Sequence, residues 1–473
     1  MKIGELARTN RWWKGEPASW ESLKPLFEHT FLSQRTLPPP TGNYIMRGPR
    51  QVGKTEMLLR GVAHLFAQSI PFQNITYISC DRLGGLGELR NTVRELRQVK
   101  MANPGPKVLL LDEVTSLTGW EKGVKEFCEE GFFKVYATGS RPKELEARAE
   151  LFPGRAEILN FYPLSFAEFC VSLVRSCEEE VRIEGEKGTL WTYSRPGRHV
   201  REFLERFGLA PESGLMDLLG KLEPGLEVNS IREKVLKLSP FADSLEALFR
   251  VYLETGGYPA SIESKITGGP EPFELVVRDT LGTVEKEGLS IEVLNRLLPE
   301  LLRRMGSGVE YAGLAREVEV DPATVMRYVE ILERSFLLRE IYRLDGRVQP
   351  RKAKKIYFSD PFIFRGLCEY YNLEVGELGP LVEAVAVEHI CRAIEDPFRH
   401  LWKTSLGYGE IRGREVDLVL GRPSLRIEVK YEEMPGRRDV DIVLTKDELN
   451  LSSKPWHIPV ALFLLGCSET API

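Results

Sequence analysis

The chain has 473 residues, of which 42% are hydrophobic and 28% charged, with a net charge of −5 at pH 7. That length predicts two to four domains of soluble, globular composition, and the acidic balance excludes a global attraction to nucleic acid, leaving only local patches for it. No apolar run reaches the roughly 18 residues of a membrane span, residues 1–14 are too polar for a signal peptide, and seven scattered cysteines without a C-x-x-C pair exclude a disulfide framework or zinc ribbon.

In chain order, residues 1–40 are an N-terminal segment carrying Trp12, Trp13 and Trp20 and stopped by Pro38-Pro39-Pro40. Docking on the core and docking on a partner are both open for it. Tyr44-Ile45-Met46 then predicts a short strand, and Met57, Leu58, Gly61, Val62 and Leu65 predict a helix. Between them lies Gly48-Pro49-Arg50-Gln51-Val52-Gly53-Lys54-Thr55, a complete G-x-x-x-x-G-K-T loop. Its glycines let the backbone aim N–H groups at phosphate oxygens, and the helix N-terminus adds positive charge to the same anion. Lys54 is expected on the β- and γ-phosphates, Thr55 on Mg²⁺, and Glu56 completes the nucleotide-binding run. The chain is therefore expected to bind a nucleoside triphosphate.

Ile75 to Asp81 predicts a second strand. Val108-Leu109-Leu110-Leu111 predicts a third, buried on both faces as in a parallel sheet, ending in Asp112-Glu113. Asp112 is expected at the metal and Glu113 as the base that orients and deprotonates water. Lys134 to Ala137 predicts a fourth strand with a polar tip, Thr138-Gly139-Ser140-Arg141, where a hydroxyl either aligns the water or merely caps the strand. Arg155, in Leu151-Phe152-Pro153-Gly154-Arg155, either stabilises transition-state charge, in cis or from a neighbouring subunit, or caps a surface loop.

On the loop GPRQVGKT, the strand LLLDEV, ATGSR and FPGRAEILNFYPLSFAEF, the chain resembles AAA+-type, STAND-related archaeal and bacterial ATPases. Further matches are Gly256-Gly257-Tyr258-Pro259, Lys354 to Asp360 and Gly413 to Asp417. The resemblance covers about residues 41–465, is loose between Val171 and Ser239, and treats Glu178-Glu179-Glu180 as a solvated face. It implies an α/β fold: a P-loop NTPase parallel sheet, a helical lid, a winged helix-turn-helix and a C-terminal restriction-endonuclease-like α/β domain. The expected boundaries are 1–40, 41–165 for the ATPase core, 166–288 for the lid or insertion, 289–345 for the winged helix and 346–473 for the nuclease-like part. ATP and ADP with Mg²⁺ are the implied cofactors.

Past the lid, Gly256-Gly257-Tyr258-Pro259 predicts a tight turn without chemistry. Leu294, Leu297, Leu298, Leu301, Leu302 and Met305 mark one helix face, with Pro299 inside it. Tyr311 to Val318 gives a second helix. Asp321 caps a third, with Pro322 in its first turn and Val325, Tyr328, Val329 and Leu332 inward. Phe336-Leu337-Leu338 reads as a strand, completing a winged-helix layout. The outward Thr324, Arg327, Glu330 and Glu333 carry two carboxylates that repel phosphates, so a protein spacer and a DNA reader both stand. Arg343, Arg347, Arg351, Lys352, Lys354 and Lys355 form a basic patch, read either as a DNA contact or as a wing charged for solubility.

Finally, Gly413 to Leu420 and Leu425 to Lys430 predict paired strands. Glu428 and Lys430 share a face that Asp417 can reach, so Asp417 and Glu428 are a candidate Mg²⁺ pair with Lys430 as the supporting cation. This resembles the PD-(D/E)XK nuclease core, whose helix glutamate would match Glu383. An active nuclease and an inactive binding scaffold are both open, and the expected partners are ATP, DNA at the patch and C-terminal domain, and a protein or second copy. With only 10 Asn and 6 Gln among 473 residues, a thermophilic source is expected, and the reduced thiols predict the cytoplasm.

Overall fold

The computed structural model of the chain describes residues 3–14, 35, 37–140, 152, 154–176, 181–185, 188–193, 235–236, 239–394, 402–421, 424–432 and 439–466; the expectations placed on Trp20, Arg141 and Glu178 to Glu180 lie outside them. The described residues fall into two units, one running to Tyr162 and the other starting at Pro163.

In the first unit, α1 (Ile3–Thr9) precedes strands β1 (Tyr44–Arg47), β2 (Ile75–Ser79), β3 (Val108–Asp112), β4 (Lys134–Gly139) and β5 (Glu157–Asn160). Helices α2 (Lys54–Ala67), α3 (Leu86–Lys100) and α4 (Trp120–Glu130) connect the first four. The strands form one sheet in the order β2-β3-β4-β1-β5, parallel throughout. All five residues of β3 are buried, as its unbroken apolar run requires when both faces are covered. Leu89, Val93 and Leu96 of α3 and Trp120, Val124 and Phe127 of α4 share one core with Leu109, Leu111, Val135 and Ala137 of the sheet. This is the P-loop NTPase architecture.

Residues 3–14 of the N-terminal segment dock on this core. β2 is an edge strand, and its outward backbone groups need partners. The Asn10 side chain supplies them as a strand would: its amide donates to Tyr77 O at 3.0 Å, and its oxygen accepts from Tyr77 N–H at 2.7 Å. The indole N–H groups of Trp12 and Trp13 both donate to Ile75 O, at 3.0 and 2.7 Å.

The second unit begins with α5 (Phe166–Ser176) and a hairpin, β6 (Val181–Gly185) with β7 (Gly188–Tyr193). A helical run follows: α6 (Ala242–Thr255), α7 (Pro259–Thr267), α8 (Phe273–Lys286), α9 (Ile291–Arg303), α10 (Tyr311–Glu317) and α11 (Pro322–Arg334). A small antiparallel sheet has the order β8 (Gly308–Val309), β10 (Lys354–Phe358), β9 (Leu338–Tyr342). After α12 (Pro361–Tyr370), α13 (Leu378–Ile394) and the short α14 (Trp402–Ser405), a five-stranded sheet closes the chain. Its strands β11 (Leu406–Ile411), β12 (Arg414–Gly421) and β13 (Ser424–Lys430) are antiparallel; β14 (Ile442–Thr445) and β15 (Trp456–Pro459) continue parallel to β13, ahead of α15 (Val460–Gly466). The two sheets touch where Leu344 N–H donates to Tyr408 O at 2.8 Å.

Local signals hold in α9 and α11. Leu294, Leu297, Leu298, Leu301 and Leu302 are buried despite Pro299 inside the helix. Asp321 accepts from Thr324 N–H at 2.9 Å with Pro322 opening α11. Two expectations are corrected. Phe336 is not in a strand but has φ 61, because α11 closes through it, its N–H donating to Glu333 O at 2.9 Å. Glu333 does not face outward: its carboxylate is buried against Lys403 and accepts from Glu340 N–H at 3.1 Å.

Candidate functional site

β4 lies between β1 and β3, so the loop after β1 and the acidic end of β3 are two strand spacings apart, about 10 Å. The tip of β4 lies between them, and the first turn of α2 crosses the gap. Gly48 must lack a side chain, because a Cβ there would come within 2.0 Å of Phe161 O. Gly53 turns into α2 with φ 94, and Gln51 also has a positive φ of 63. Both belong to the tight curl that faces the loop amides inward. Pro49 and Val52 are buried while Arg50, Gln51 and Thr55 are exposed. Glu56 lies one turn before Arg60, whose guanidinium is pulled below its ordinary value by burial and supported by the Glu56 charge.

The buried ammonium of Lys54 folds back over the loop, donating to Gly48 O at 2.9 Å and to Pro49 O. Asp112 is gripped by three hydroxyls. Its Oδ2 accepts from Thr55 Oγ1 and from Tyr77 OH, both at 2.8 Å, and its Oδ1 accepts from Thr138 Oγ1 at 2.6 Å. Thr138 Oγ1 also accepts from Glu113 N–H at 3.0 Å. The Glu113 carboxylate is held by the Ser140 hydroxyl, by Ser140 N–H at 3.2 Å and by Thr115 Oγ1 at 3.2 Å.

The structure thus brings Lys54, Thr55, Asp112, Glu113 and Thr138 to one end of the sheet. Arg155 is not there. It precedes β5, which runs parallel to β1 with Glu157 level with Tyr44, so it lies at the end of the sheet opposite the loop. Its guanidinium pairs with Glu129 at 2.7 Å. Sequence reasoning missed Tyr77, which reads as an ordinary strand aromatic, and passed over Ser140 as part of a polar tip. The donor set fits a magnesium nucleotide: a loop of amides, an ammonium, and a hydroxyl touching a carboxylate.

In the second unit, Lys355 on β10 turns inward and leaves the expected basic patch. Its Nζ lies 3.0 Å from Glu383, 2.8 Å from Glu415 and 3.8 Å from Asp417, with Tyr357 donating to Glu383. Burial pushes the Glu383 carboxyl up and the Asp417 charge adds to this, while Lys355 opposes both. The β12–β13 register, with Leu418 opposite Ile427, sets Asp417 beside Glu428 and Val429, and Asp417 Oδ2 accepts from Val429 N–H at 2.8 Å. Lys430 lies 3.4 Å from the buried Glu428. The expected residues Glu383, Asp417, Glu428 and Lys430 therefore occupy one region. Asp417 Oδ1 lies 3.8 Å from Lys355, and among the described residues no three His, Cys, Asp or Glu side chains are grouped to hold a metal. Arg343 also leaves the patch, pairing with Asp345 at 2.7 Å and Glu410 at 3.0 Å. Arg347, Arg351 and Lys352 are exposed.

The class that this sheet and loop define is the P-loop NTPase fold. Residues 41–170 match the family model of the AAA domain, and the chain carries such a domain there. Residues 246–374, from α6 into the segment after α12, match a second model described only as a domain of unknown function, DUF8612. Over 451 residues the chain is 22% identical to the uncharacterized protein MJ1637 of Methanocaldococcus jannaschii, covering 89% of this chain and 84% of that one. Among solved structures it is similar to the Aeropyrum pernix ORC1 protein in complex with DNA, at 13% identity and a TM-score of 0.28, covering 75% of this chain and 93% of that one. It is also similar to AMPPCP-bound DnaA from Aquifex aeolicus, at 16% identity and a TM-score of 0.21, covering 70% and 89%. No helix among the described residues is long and apolar enough to cross a membrane.

Proposed function

We propose that this protein binds ATP with magnesium at the loop 48–56 and hydrolyses its γ-phosphate, and that its second unit is a binding module whose nuclease-like core does not cut. The observation that carries the first part is the 2.8 Å contact between Thr55 of the loop and Asp112 of β3. A hydroxyl and a carboxylate that already touch are set to share one cation. The chemistry a magnesium ion supplies with the nucleotide is charge neutralisation at the β- and γ-phosphate oxygens. Lys54 exchanges its loop carbonyls for phosphate oxygens. Glu113 orients a water and takes its proton as the water oxygen bonds to phosphorus and the bond to the β-phosphate bridging oxygen breaks. Arg155 has a place in this scheme only on a neighbouring subunit's nucleotide.

The test is calorimetry and turnover on the full chain. Lys54→Ala should abolish MgATP uptake, and Glu113→Gln should keep uptake while lowering turnover by about 10²–10⁴-fold. A wild-type chain that takes up no MgATP ends the proposal.

For the second unit, Lys355 among Glu383, Glu415 and Asp417 favours the scaffold reading over cleavage. Arg347, Arg351 and Lys352 are the residues a phosphate backbone would meet. Neutralising all three should lower DNA affinity and flatten its salt slope by up to about three phosphate contacts. DNA cleavage with Mg²⁺ or Mn²⁺ that disappears in Asp417→Ala would refute the scaffold.

A further inference from the structure

We propose that Tyr77 is a positioning residue for the Asp112 carboxylate, and that Asn10 of the N-terminal segment sets Tyr77 at the height this requires. The inference rests on the reading of Asp112 as the carboxylate that meets the nucleotide-bound divalent cation.

β3 has β2 on one side and β4 on the other, and each neighbour sends a hydroxyl to Asp112. Thr138 of β4 holds Oδ1 at 2.6 Å, and Tyr77 of β2 holds Oδ2 at 2.8 Å. Thr55 is the third donor, and its hydroxyl is committed to the cation once nucleotide is bound. Tyr77 and Thr138 are then the pair that keeps the buried carboxylate from rotating. Supporting hydrogen bonds of this kind orient metal ligands and tune their affinity.

The choice of tyrosine follows from register. Ser79 is level with Asp112, but its hydroxyl is turned to Asp81. Tyr77 lies two residues back on the same face, about 6.6 Å below, so only a side chain as long as tyrosine reaches the carboxylate.

The height of Tyr77 depends on an edge strand. Asn10 is fully buried and takes both backbone groups of Tyr77, at 2.7 and 3.0 Å, while its amide also donates to Leu6 O at 2.9 Å. One side chain therefore ties the first helix to the strand position from which the phenol reaches Asp112. The N-terminal segment reaches the cation site by two hydrogen-bonded steps.

The deciding experiment uses the full chain with Tyr77→Phe, which removes one oxygen. Calorimetry of ADP in EDTA reads nucleotide binding without metal, and electron paramagnetic resonance of Mn²⁺ titrated into the ADP complex reads the cation. Tyr77→Phe should leave the metal-free ADP affinity and the melting temperature as in wild type and weaken Mn²⁺ binding about tenfold or more. Asn10→Ala should shift Mn²⁺ binding in the same direction, and if it does not fold, Tyr77→Phe alone decides. Unchanged Mn²⁺ affinity in Tyr77→Phe, beside a wild type that binds both, overturns the proposal and leaves the ATP reading standing. A wild type that takes up neither ADP nor Mn²⁺, and so behaves as Lys54→Ala, overturns both.

Discussion

Glu113 has φ 52 and ψ 48, a left-handed conformation that a residue other than glycine adopts only when its surroundings hold it there. Thr138 takes its N–H and Ser140 its carboxylate, so the strain is fastened at the tip of β4. His389 is fastened in another way. Its Nε2 accepts from Phe166 N–H at 2.9 Å, and the tautomer that fits has Nδ1–H donating to Val385 O at 2.8 Å, so a second proton has no room. Burial, then the nearby Arg392, lower its pKa to about 4, against about 6.5 in the unfolded chain. Its contribution to stability is intact above pH 6.5 and is lost as the pH falls toward 4, by about 3 kcal/mol in all. Asp360 works with the opposite sign: burial raises it to about 7, so its contribution is full below about 4 and is lost as the pH rises toward 7. The comparison must therefore be between wild type and His389→Gln. Denaturant melts from pH 7 to 4 should show wild type losing stability relative to the variant, and parallel curves would refute the assignment.

At the scale of elements, the Gly-Gly-Tyr-Pro turn is a seat for the helix start at Asp360. Asp360 caps α12 through Phe362 N–H and reaches across to Gly257 N–H, both at 2.9 Å. Gly256 has φ 61 and ψ −161, a region open almost only to glycine, and a Cβ there would lie 1.8 Å from Asp360 Oδ1. Gly256→Ala should cost at least about 2 kcal/mol in a urea melt; a loss under half that would contradict this packing. The Lys355 cluster joins β10, β12 and α13 through ion pairs, with Tyr357 adding a hydrogen bond to Glu383. Lys355→Met strands the largely covered carboxylates of Glu383 and Asp417 and should cost about 3–5 kcal/mol, the usual result of removing one partner from a buried ion pair. A variant as stable as wild type would mean the carboxylates are protonated or hydrated in its absence.

At the scale of the molecule, the two units melt as separate cooperative blocks if each has its own core. Nucleotide bound at the loop stabilises only the folded first unit, by about 2.7 kcal/mol at a hundred times its dissociation constant. Calorimetry should then show MgATP raising one transition and leaving the other in place, with no shift in Lys54→Ala. Movement of both transitions together would contradict this division.

Much of this was legible in residue order because it is local. The G-x-x-x-x-G-K-T loop, the apolar run of β3 ending in Asp112-Glu113, the heptad-like face of α9 and the Asp321-Pro322 start of α11 each depend on neighbours within a few positions. What failed depended on direction and facing. Lys354 and Lys355 look alike in a basic patch, but adjacent strand residues point to opposite faces, so one had to be buried, and only the packing of α13 and β12 selects Lys355. Arg155 had open readings in residue order; only the parallel course of β5 beside β1 shows that it lies at the end of the sheet opposite the loop. Tyr77 shows the same limit at its sharpest. By itself the chain determined that a triphosphate loop and an acidic strand exist, because backbone curl and apolar burial are written in adjacent residues. Only the tertiary structure decided which hydroxyls grip Asp112 and which lysine fills the carboxylate cluster, because those contacts join strands and helices whose order in space no run of neighbours encodes.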